Sequence, residues 1–260
     1  MKKTEHQEQR ILEQLKRKKT MTLAQAMELL GVSESTVRRL FIRLENSGAA
    51  MRRYGGIQLL HDSDAADYQY EQVEEQYVPQ KQMIGCYAAQ LVESGDVLYL
   101  DSGTTMACFC KELAARISSG QLNGLTVFTN SLVNLELLSP ALTVNLIGGE
   151  HRANRRDFCG YLAEEMVSSL HFSKCFLGAD GFHLRYGFTA TDFYTARLNE
   201  LVLGNSDRRY VLMDSSKFMA ASVVSYSRDQ TIDAVITDQQ PTEQLAQRLA
   251  ASGTEILLCC

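Results

Sequence analysis

Between residues 22 and 44 apolar positions recur with a helical period. Leu23, Ala26, Met27 and Leu30 form one stripe. Val37, Leu40, Phe41 and Leu44 form a second, at the i, i+3, i+4, i+7 spacing of an amphipathic helix. Gly31-Val32-Ser33 separates them. A positive-φ glycine closes a helix at least cost, and Ser33 is placed to accept from the first free N–H groups of the next helix. Thr22 is positioned to cap the first helix. A basic stretch follows, with Arg52 and Arg53 ahead of Gly55-Gly56, a pair that permits a tight hairpin turn. Two short helices across a three-residue turn, then a hairpin, make a winged helix-turn-helix pattern.

If the Val37–Leu44 stripe packs inward, Ser35, Arg38, Arg39 and Arg43 are left on other faces. A recognition helix needs this division, because its N-terminal polar residues reach base edges and phosphates in the major groove. The expected contacts to a double-stranded DNA operator are therefore Thr22, Ser33, Ser35, Thr36, Arg38, Arg39 and Arg43, with Arg52 and Arg53 on the wing. A small helical domain used for protein contact is the competing reading.

Charge sharpens the picture. Residues 1–60 hold 12 Lys+Arg against 6 Asp+Glu, a net +6, while residues 61–260 hold 14 against 25, a net −11. A basic head on an acidic body suggests that one end binds a polyanion and the rest does something else. No run of 18 apolar residues occurs, so no membrane span and no membrane partner are expected. The start turns polar at once, which predicts no signal peptide and a cytoplasmic protein. Seven cysteines lack any Cys-x-x-Cys pair and the five histidines form no ligand-spaced cluster, so neither a metal nor a disulfide framework is expected.

Residues 59–78 are acidic and rich in tyrosine, and Pro79 marks their end. The expected organisation is a DNA-binding domain over 1–58, a linker or connecting helix over 59–78, and an effector-sensing and oligomerisation domain over 79–260. In this last domain short apolar runs recur at 97–100, 126–128, 144–147, 174–177, 210–213, 234–237 and 255–258. Helical stripes lie between several of them: Ile84, Ala88, Leu91 and Val92; Met106, Phe109, Leu113 and Ile117; Leu162, Met166, Val167 and Leu170. Such alternation predicts an α/β domain with a largely parallel sheet, whose ligands bind beyond the carboxyl ends of the strands.

The loops after those runs are small and polar. Asp101-Ser102-Gly103-Thr104-Thr105 leads into a helix and is able to present N–H groups and hydroxyls to a phosphate. Thr129-Asn130-Ser131, Gly148-Gly149 and Asp180-Gly181 follow other runs, and Lys217 stands just past Tyr210–Met213, placed to pair with an anion. Each also reads as an ordinary turn, cap or surface charge.

These motifs, in this order, resemble the DeoR family of bacterial transcriptional regulators over about residues 5–240. The resemblance rests on Val32–Arg39, Arg53–Gly56, Gly95–Thr105, Leu125–Ser131, Ile147–Gly149, Phe158–Gly160, Asp214–Lys217 and Ile236–Asp238. Leu40 stands where the family commonly has Asp, and Gln80 where an acidic residue commonly precedes the lysine. The resemblance implies a sensor domain similar in fold to sugar-phosphate isomerases, with a phosphorylated sugar or related metabolite as effector. It implies repression of a carbohydrate-catabolism operon, relieved by that effector. By position, Asp101, Ser102, Gly103, Thr104, Thr105, Asn130, Gly148, Gly149 and Lys217 would line the effector pocket. No cofactor and no catalytic residue are expected, and a homodimer or homotetramer is, since one winged head makes few base contacts. Two alternatives stand beside this: an isomerase-like enzyme with a DNA-binding head, using Asp101 or Asp180 as base, and a regulator whose pocket has decayed.

Overall fold

The computed structural model describes residues 7–8, 10–12, 14–15, 20–46, 50–53, 56–59, 68–220, 222–227 and 232–259. The chain divides into two compact units, Met1–Asp67 and Tyr68–Cys260.

In the first unit, helical residues 10–12 and 14–15 are followed by β1 (Thr20–Thr22), α1 (Leu23–Leu30), α2 (Glu34–Asn46), β2 (Ala50–Arg53) and β3 (Gly56–Leu59). Thr22 caps α1 in a capping box: its Oγ1 accepts from Gln25 N at 3.2 Å, and its N–H donates to Gln25 Oε1 at 2.9 Å. Gly31 ends the helix in the left-handed region at φ 63°, its N–H donating to Met27 O at 2.8 Å. Val37, Leu40, Phe41 and Leu44 all turn into one core with Ile11, Leu15, Met21, Ala26, Ala50 and Ile57. Leu40 is 2% exposed, so at this position the chain uses an apolar core residue. The wing has three strands, antiparallel, in the order β1-β3-β2. The sequence reading found only the β2–β3 hairpin, whose turn at residues 54–55 lies outside the described residues. Gly56 serves the third strand: a Cβ there would sit 2.4 Å from Met21 O, so only glycine lets β1 approach.

The second unit is built on a seven-stranded sheet, every pairing parallel, in the order β15-β14-β12-β9-β4-β5-β6. These strands are Val97–Leu100 (β4), Thr126–Thr129 (β5), Val144–Leu146 (β6), Phe172–Gly178 (β9), Ser206–Leu212 (β12), Ala234–Thr237 (β14) and Glu255–Leu258 (β15). They are the seven apolar runs of the sequence, with β9 and β12 begun earlier. Alternate strand residues feed two cores. Tyr99, Cys175, Leu177, Val211 and Val235 face one side. Leu98, Leu100, Phe176, Leu212 and Ile236 face the other. That period of two, with helices on both faces, makes the sheet doubly wound.

Helices α4 (Val78–Gln90) and α5 (Thr104–Ser118) cover one face through Ile84, Ala88, Met106, Phe109 and Leu113, joined there by α6 (Leu132–Leu138) through Leu138. On the other lie α7 (Tyr161–Ser168), α8 (Phe193–Gly204) and α9 (Glu243–Ala251), through Ala163, Val167, Ala196, Val202, Leu245 and Leu249. The stripe expected on α7 is corrected here. Leu162 and Met166 are 65% and 41% exposed, and the smaller Ala163 packs inward with Val167. Two further pieces escaped the sequence: the hairpin β7 (Glu150–Arg152) and β8 (Asp157–Cys159), and a small antiparallel sheet of β10 (Gly181–His183), β11 (Gly187–Ala190) and β13 (Val224–Ser225).

The expected linker over 59–78 also shortens. Leu59 belongs to β3, residues 60–67 lie outside the described set, and Tyr68 to Val78 belong to the second unit. Here α3 (Tyr70–Glu74) buries Tyr70 against Ala107 and Val133, and Tyr70 N donates to Asn154 O at 3.0 Å. The tyrosines that punctuate the acidic stretch give this segment enough apolar surface to dock. Pro79 stands in the first turn of α4, where a missing N–H costs nothing.

Candidate functional site

The first unit presents a polar face on α2. Ser33, Ser35, Arg38, Arg39 and Arg43 are exposed and Thr36 is half-buried. Ser33 does not cap α2 as expected. Its hydroxyl meets those of Ser35 and Thr36, each at 3.1 Å, while its carbonyl accepts from the N–H groups of Thr36 and Val37. Arg38 pairs with Glu34 one turn back at 2.7 Å and Arg43 with Glu8 at 2.5 Å. These exposed pairs are weak, so both guanidiniums stay available to a stronger anion. Arg39 pairs with no carboxylate among the described residues. Arg52 and Arg53 lie in β2, opposite Ile57 and Gly56, and their side chains lie outside the described set.

The second unit carries a cavity where the chain order of its sheet reverses. From β4 the chain proceeds to β5 and β6 on one side, and from β9 to β12, β14 and β15 on the other. The crevice at the carboxyl ends of β4 and β9 is the place where open α/β sheets hold ligands. Asp101 to Met106 line it from β4, Gly178, Ala179 and Asp180 from β9, and Leu212 and Lys217 from β12. Tyr68, Val73, Arg155, Ala190 and Thr195 complete the wall.

The phosphate-sized features are at the β4 end. Gly103, at φ 117°, starts α5, and no side chain caps that helix. The first N–H groups of a 15-residue helix therefore open beside the hydroxyls of Thr104 and Thr105. Lys217 reaches in from a short 3-10 turn at Ser215–Lys217, its Nζ donating to Ala179 O at 2.8 Å. Behind it Lys81 is buried, its Nζ on Val73 O at 2.5 Å. Burial, and then the Lys217 charge, hold the Lys81 ammonium below its ordinary pKa. Two ammonium groups thus stand near this end of the cavity, with the Asp214 charge opposing the effect of Lys217 on Lys81.

Asp101 is held by three hydrogen bonds. Its Oδ1 accepts from Ser102 N at 2.7 Å, and its Oδ2 from Gly178 N at 3.0 Å and Asn199 Nδ2 at 3.3 Å. Burial still pushes it up to about 6 against those bonds. Asp180 is likewise engaged, Oδ2 accepting from Thr191 N at 2.9 Å.

The remaining expected pocket residues do not line this cavity. Asn130 faces β8, donating to Phe158 O at 3.0 Å. Gly148 and Gly149 form the turn into β7. Gly149 has φ 148°, and a Cβ there would meet Cys159 O at 2.4 Å, so it is a packing glycine. What sequence reasoning missed is the charged turn between β7 and β8. Arg152 donates to Asp157 at 2.7 Å through both Nε and Nη2, to Asp192 at 2.9 Å and to Thr195 Oγ1 at 3.0 Å. Burial pushes Asp192 up, but Arg152 and Arg155 outweigh it and hold the carboxyl below its ordinary value. Ser102 Oγ donates to Asp157 Oδ2 at 2.9 Å, so this cluster also fixes the β4 loop. The signal for it was the basic run Arg152, Arg155 and Arg156 before Asp157.

Comparison with known proteins agrees with both halves. A family profile described as the DeoR-like helix-turn-helix domain matches residues 7–63, and one described as the DeoR C terminal sensor domain matches residues 76–239. The chain is 30% identical to the lactose phosphotransferase system repressor of Streptococcus mutans, over 99% of this chain and 100% of that one. It is 26% identical to the HTH-type transcriptional regulator IolR of Bacillus subtilis, over 88% of each. It is 29% identical to a putative aga operon transcriptional repressor of Escherichia coli O157:H7, over 98% of this chain and 94% of that one. Among solved structures it is similar to ribose 5-phosphate isomerase A of Methanocaldococcus jannaschii, at 21% identity and TM-score 0.40 over 53% of each chain. A helix-turn-helix head with an exposed basic face and a doubly wound sensor unit, matched end to end by such regulators, make this chain a member of the DeoR family of DNA-binding transcriptional regulators.

Proposed function

We propose that this chain represses a carbohydrate-catabolism operon, and that a phosphorylated sugar entering the cavity at the β4–β9 edge relieves repression. One observation carries the effector half of this reading: the uncapped N-terminus of α5, the Thr104 and Thr105 hydroxyls and Lys217 converge on one cavity, with Lys81 behind. Helix N–H groups and ammonium charge are the chemistry that binds a phosphate. The curated relatives named as lactose phosphotransferase system and aga operon repressors support the carbohydrate half. On the operator, Ser33, Ser35, Thr36, Arg38, Arg39 and Arg43 of the second helix would meet DNA, with Thr22 at the entry to α1 and Arg52 and Arg53 on the wing. Paired heads in a homo-oligomer would read paired half-sites. Its relatives named as repressors support a regulator rather than an enzyme.

The test is a gel shift with the promoter fragment of the adjacent operon, titrated with hexose 6-phosphates and pentose 5-phosphates while the sugars are assayed for turnover. Release of the fragment without turnover is the expected result. Isomerised sugar, or a complex indifferent to every compound, would refute the reading.

A further inference from the structure

The cavity has a second cationic group that the phosphate end does not use. Arg155 is 7% exposed and stands in the turn between β7 and β8. Its neighbour Arg152 takes the close positions on both carboxylates. Arg155 is left 3.6 Å from Asp157 and 3.8 Å from Asp192, and donates to Thr191 Oγ1 at 3.0 Å. Its Nε, buried and without a hydrogen bond, faces Asp157 Oδ2 at 3.6 Å. Arg155 therefore holds its carboxylates more loosely than Arg152 does, and its bond to Thr191 leaves other donors of the guanidinium's five uncommitted.

Tyr68 now covers it, with the Arg155 Cζ 4.4 Å from the ring centroid. Burial also pushes the Tyr68 phenol up to about 12, so the ring is neutral at physiological pH. The open space between these walls is about 60 Å³. That is about two water volumes, far below the roughly 300 Å³ at which small-molecule pockets begin. A bare phosphate approaches that size and a whole sugar phosphate exceeds it. Tyr68 and Val73 alone come from the segment ahead of α4, while the rest of the wall belongs to the sheet, its helices and its hairpins. Tyr68 is only half-buried and follows directly on Asp67, the last residue of the DNA-binding unit.

We propose that Arg155 is the cavity's second ligand-reading group: the oxygen-rich end of the sugar, remote from its phosphate, accepts from the uncommitted N–H edge of Arg155 and drives Tyr68 off the guanidinium and out of the cavity. This rests on the sugar-phosphate reading and adds to it which end of the ligand acts. The phosphate supplies grip. The sugar oxygens displace Tyr68, the first residue of the sensor unit. Inorganic phosphate then binds without displacing Tyr68.

The test uses the full chain, with calorimetric titration of inorganic phosphate and of the hexose 6-phosphates and pentose 5-phosphates. Tyr68→Ala is expected to bind sugar phosphate roughly three- to thirtyfold more tightly than wild type, the range of a cation–π contact no longer broken. Tyr68→Phe, which keeps the ring, should match wild type and so controls for folding. Arg155→Lys should bind sugar phosphate at least tenfold more weakly and inorganic phosphate within about twofold of wild type, whereas Lys217→Ala should weaken both. Hydrogen exchange in a peptide spanning 68–77 should rise with sugar phosphate and not with inorganic phosphate. If sugar phosphate binds and Lys217→Ala weakens it while Arg155→Lys, Tyr68→Ala and the exchange of 68–77 show no effect, this inference falls and the sensor reading stands. If no phosphate compound binds wild type, both fall.

Discussion

Replacing Lys217 by methionine separates a ligand-binding charge from a structural one. In the fold its Nζ bonds Ala179 O, a contact worth about 0.5–1.5 kcal/mol net. Against that loss stands relief of Lys81. A lysine whose pKa is lowered on folding carries a stability cost at neutral pH, which fades only as pH rises toward the ordinary 10.5. Removing the Lys217 charge lessens that cost. The two effects oppose, so the unliganded variant should keep its stability within about 1 kcal/mol. Binding should not be spared. A charge-assisted bond to an anion is worth about 1.5–3 kcal/mol, or roughly ten- to a hundredfold in affinity. At a phosphate concentration of about 100 times Kd, wild type gains about 2.7 kcal/mol from the ligand. A variant bound about thirtyfold more weakly gains only about 0.9 kcal/mol. For a unit of this size that gap is about 4–8 °C in the melting shift. Thermal melts of both proteins with and without phosphate, or with an inducing sugar phosphate, measure it. Equal ligand-induced shifts would refute the reasoning and leave Lys217 as a hydrogen bond to the β9 loop. The variant should still hold its operator and resist release, since ligand and DNA act at separate sites.

Two further outcomes follow from the same geometry. Arg39→Ala should weaken operator binding with the fold intact. A dimer that neutralises three or four phosphates per head gives a log K against log salt slope of roughly −5 to −7, and the variant should lose about 2 of that; anisotropy titrations across salt that return the wild-type slope would remove Arg39 from the DNA face. Asp101 should make the sensor unit less stable as pH rises from 4 to 6. Its folded pKa is raised from 3.8 to about 6, so its contribution is full below 3.8 and lost as pH climbs through 6, about 3 kcal/mol in all. Urea unfolding of Asp101→Asn should show that slope flattened, at the cost of one backbone bond at every pH; an unaltered slope would mean that Asp101 is ionised throughout.

The inner strands were legible because they are buried on both faces: Val97–Leu100 and Ala234–Thr237 are apolar along almost all their length and stand out from polar loops for that reason, while the edge strands Val144–Leu146 and Glu255–Leu258 are only half-buried. The head was legible for a related reason. Val37, Leu40, Phe41 and Leu44 admit only one buried face, and Gly31 needs the backbone freedom that its φ of 63° uses. The pieces that escaped lack such signatures. The β1 strand is three residues, one of which also caps a helix. On α7 the period itself misled, because Ala163 packs where a larger residue would not fit, and the larger Leu162 and Met166 turn outward.

The cavity divides along the same line between local and tertiary information. Asp101 to Thr105 could be found from sequence because strand, glycine turn and helix start are contiguous, and Lys217 because it trails a strand of the same sheet. Asn130 and Gly149 could not be sorted from them: a small polar residue or glycine after a strand serves a ligand or a neighbouring strand with the same local pattern, and here β8 claims both. Arg155 and Tyr68 had no local pattern at all. Their meeting depends on the β7–β8 turn and the chain ahead of α3 arriving at one wall, 87 positions apart in the sequence. What marks Arg155 out is a loose hold: it stands 3.6 Å from Asp157 and 3.8 Å from Asp192, where Arg152 sits at 2.7 and 2.9 Å. A difference of that kind becomes visible only when every neighbour is in place, and it leaves an incoming ligand donors to use.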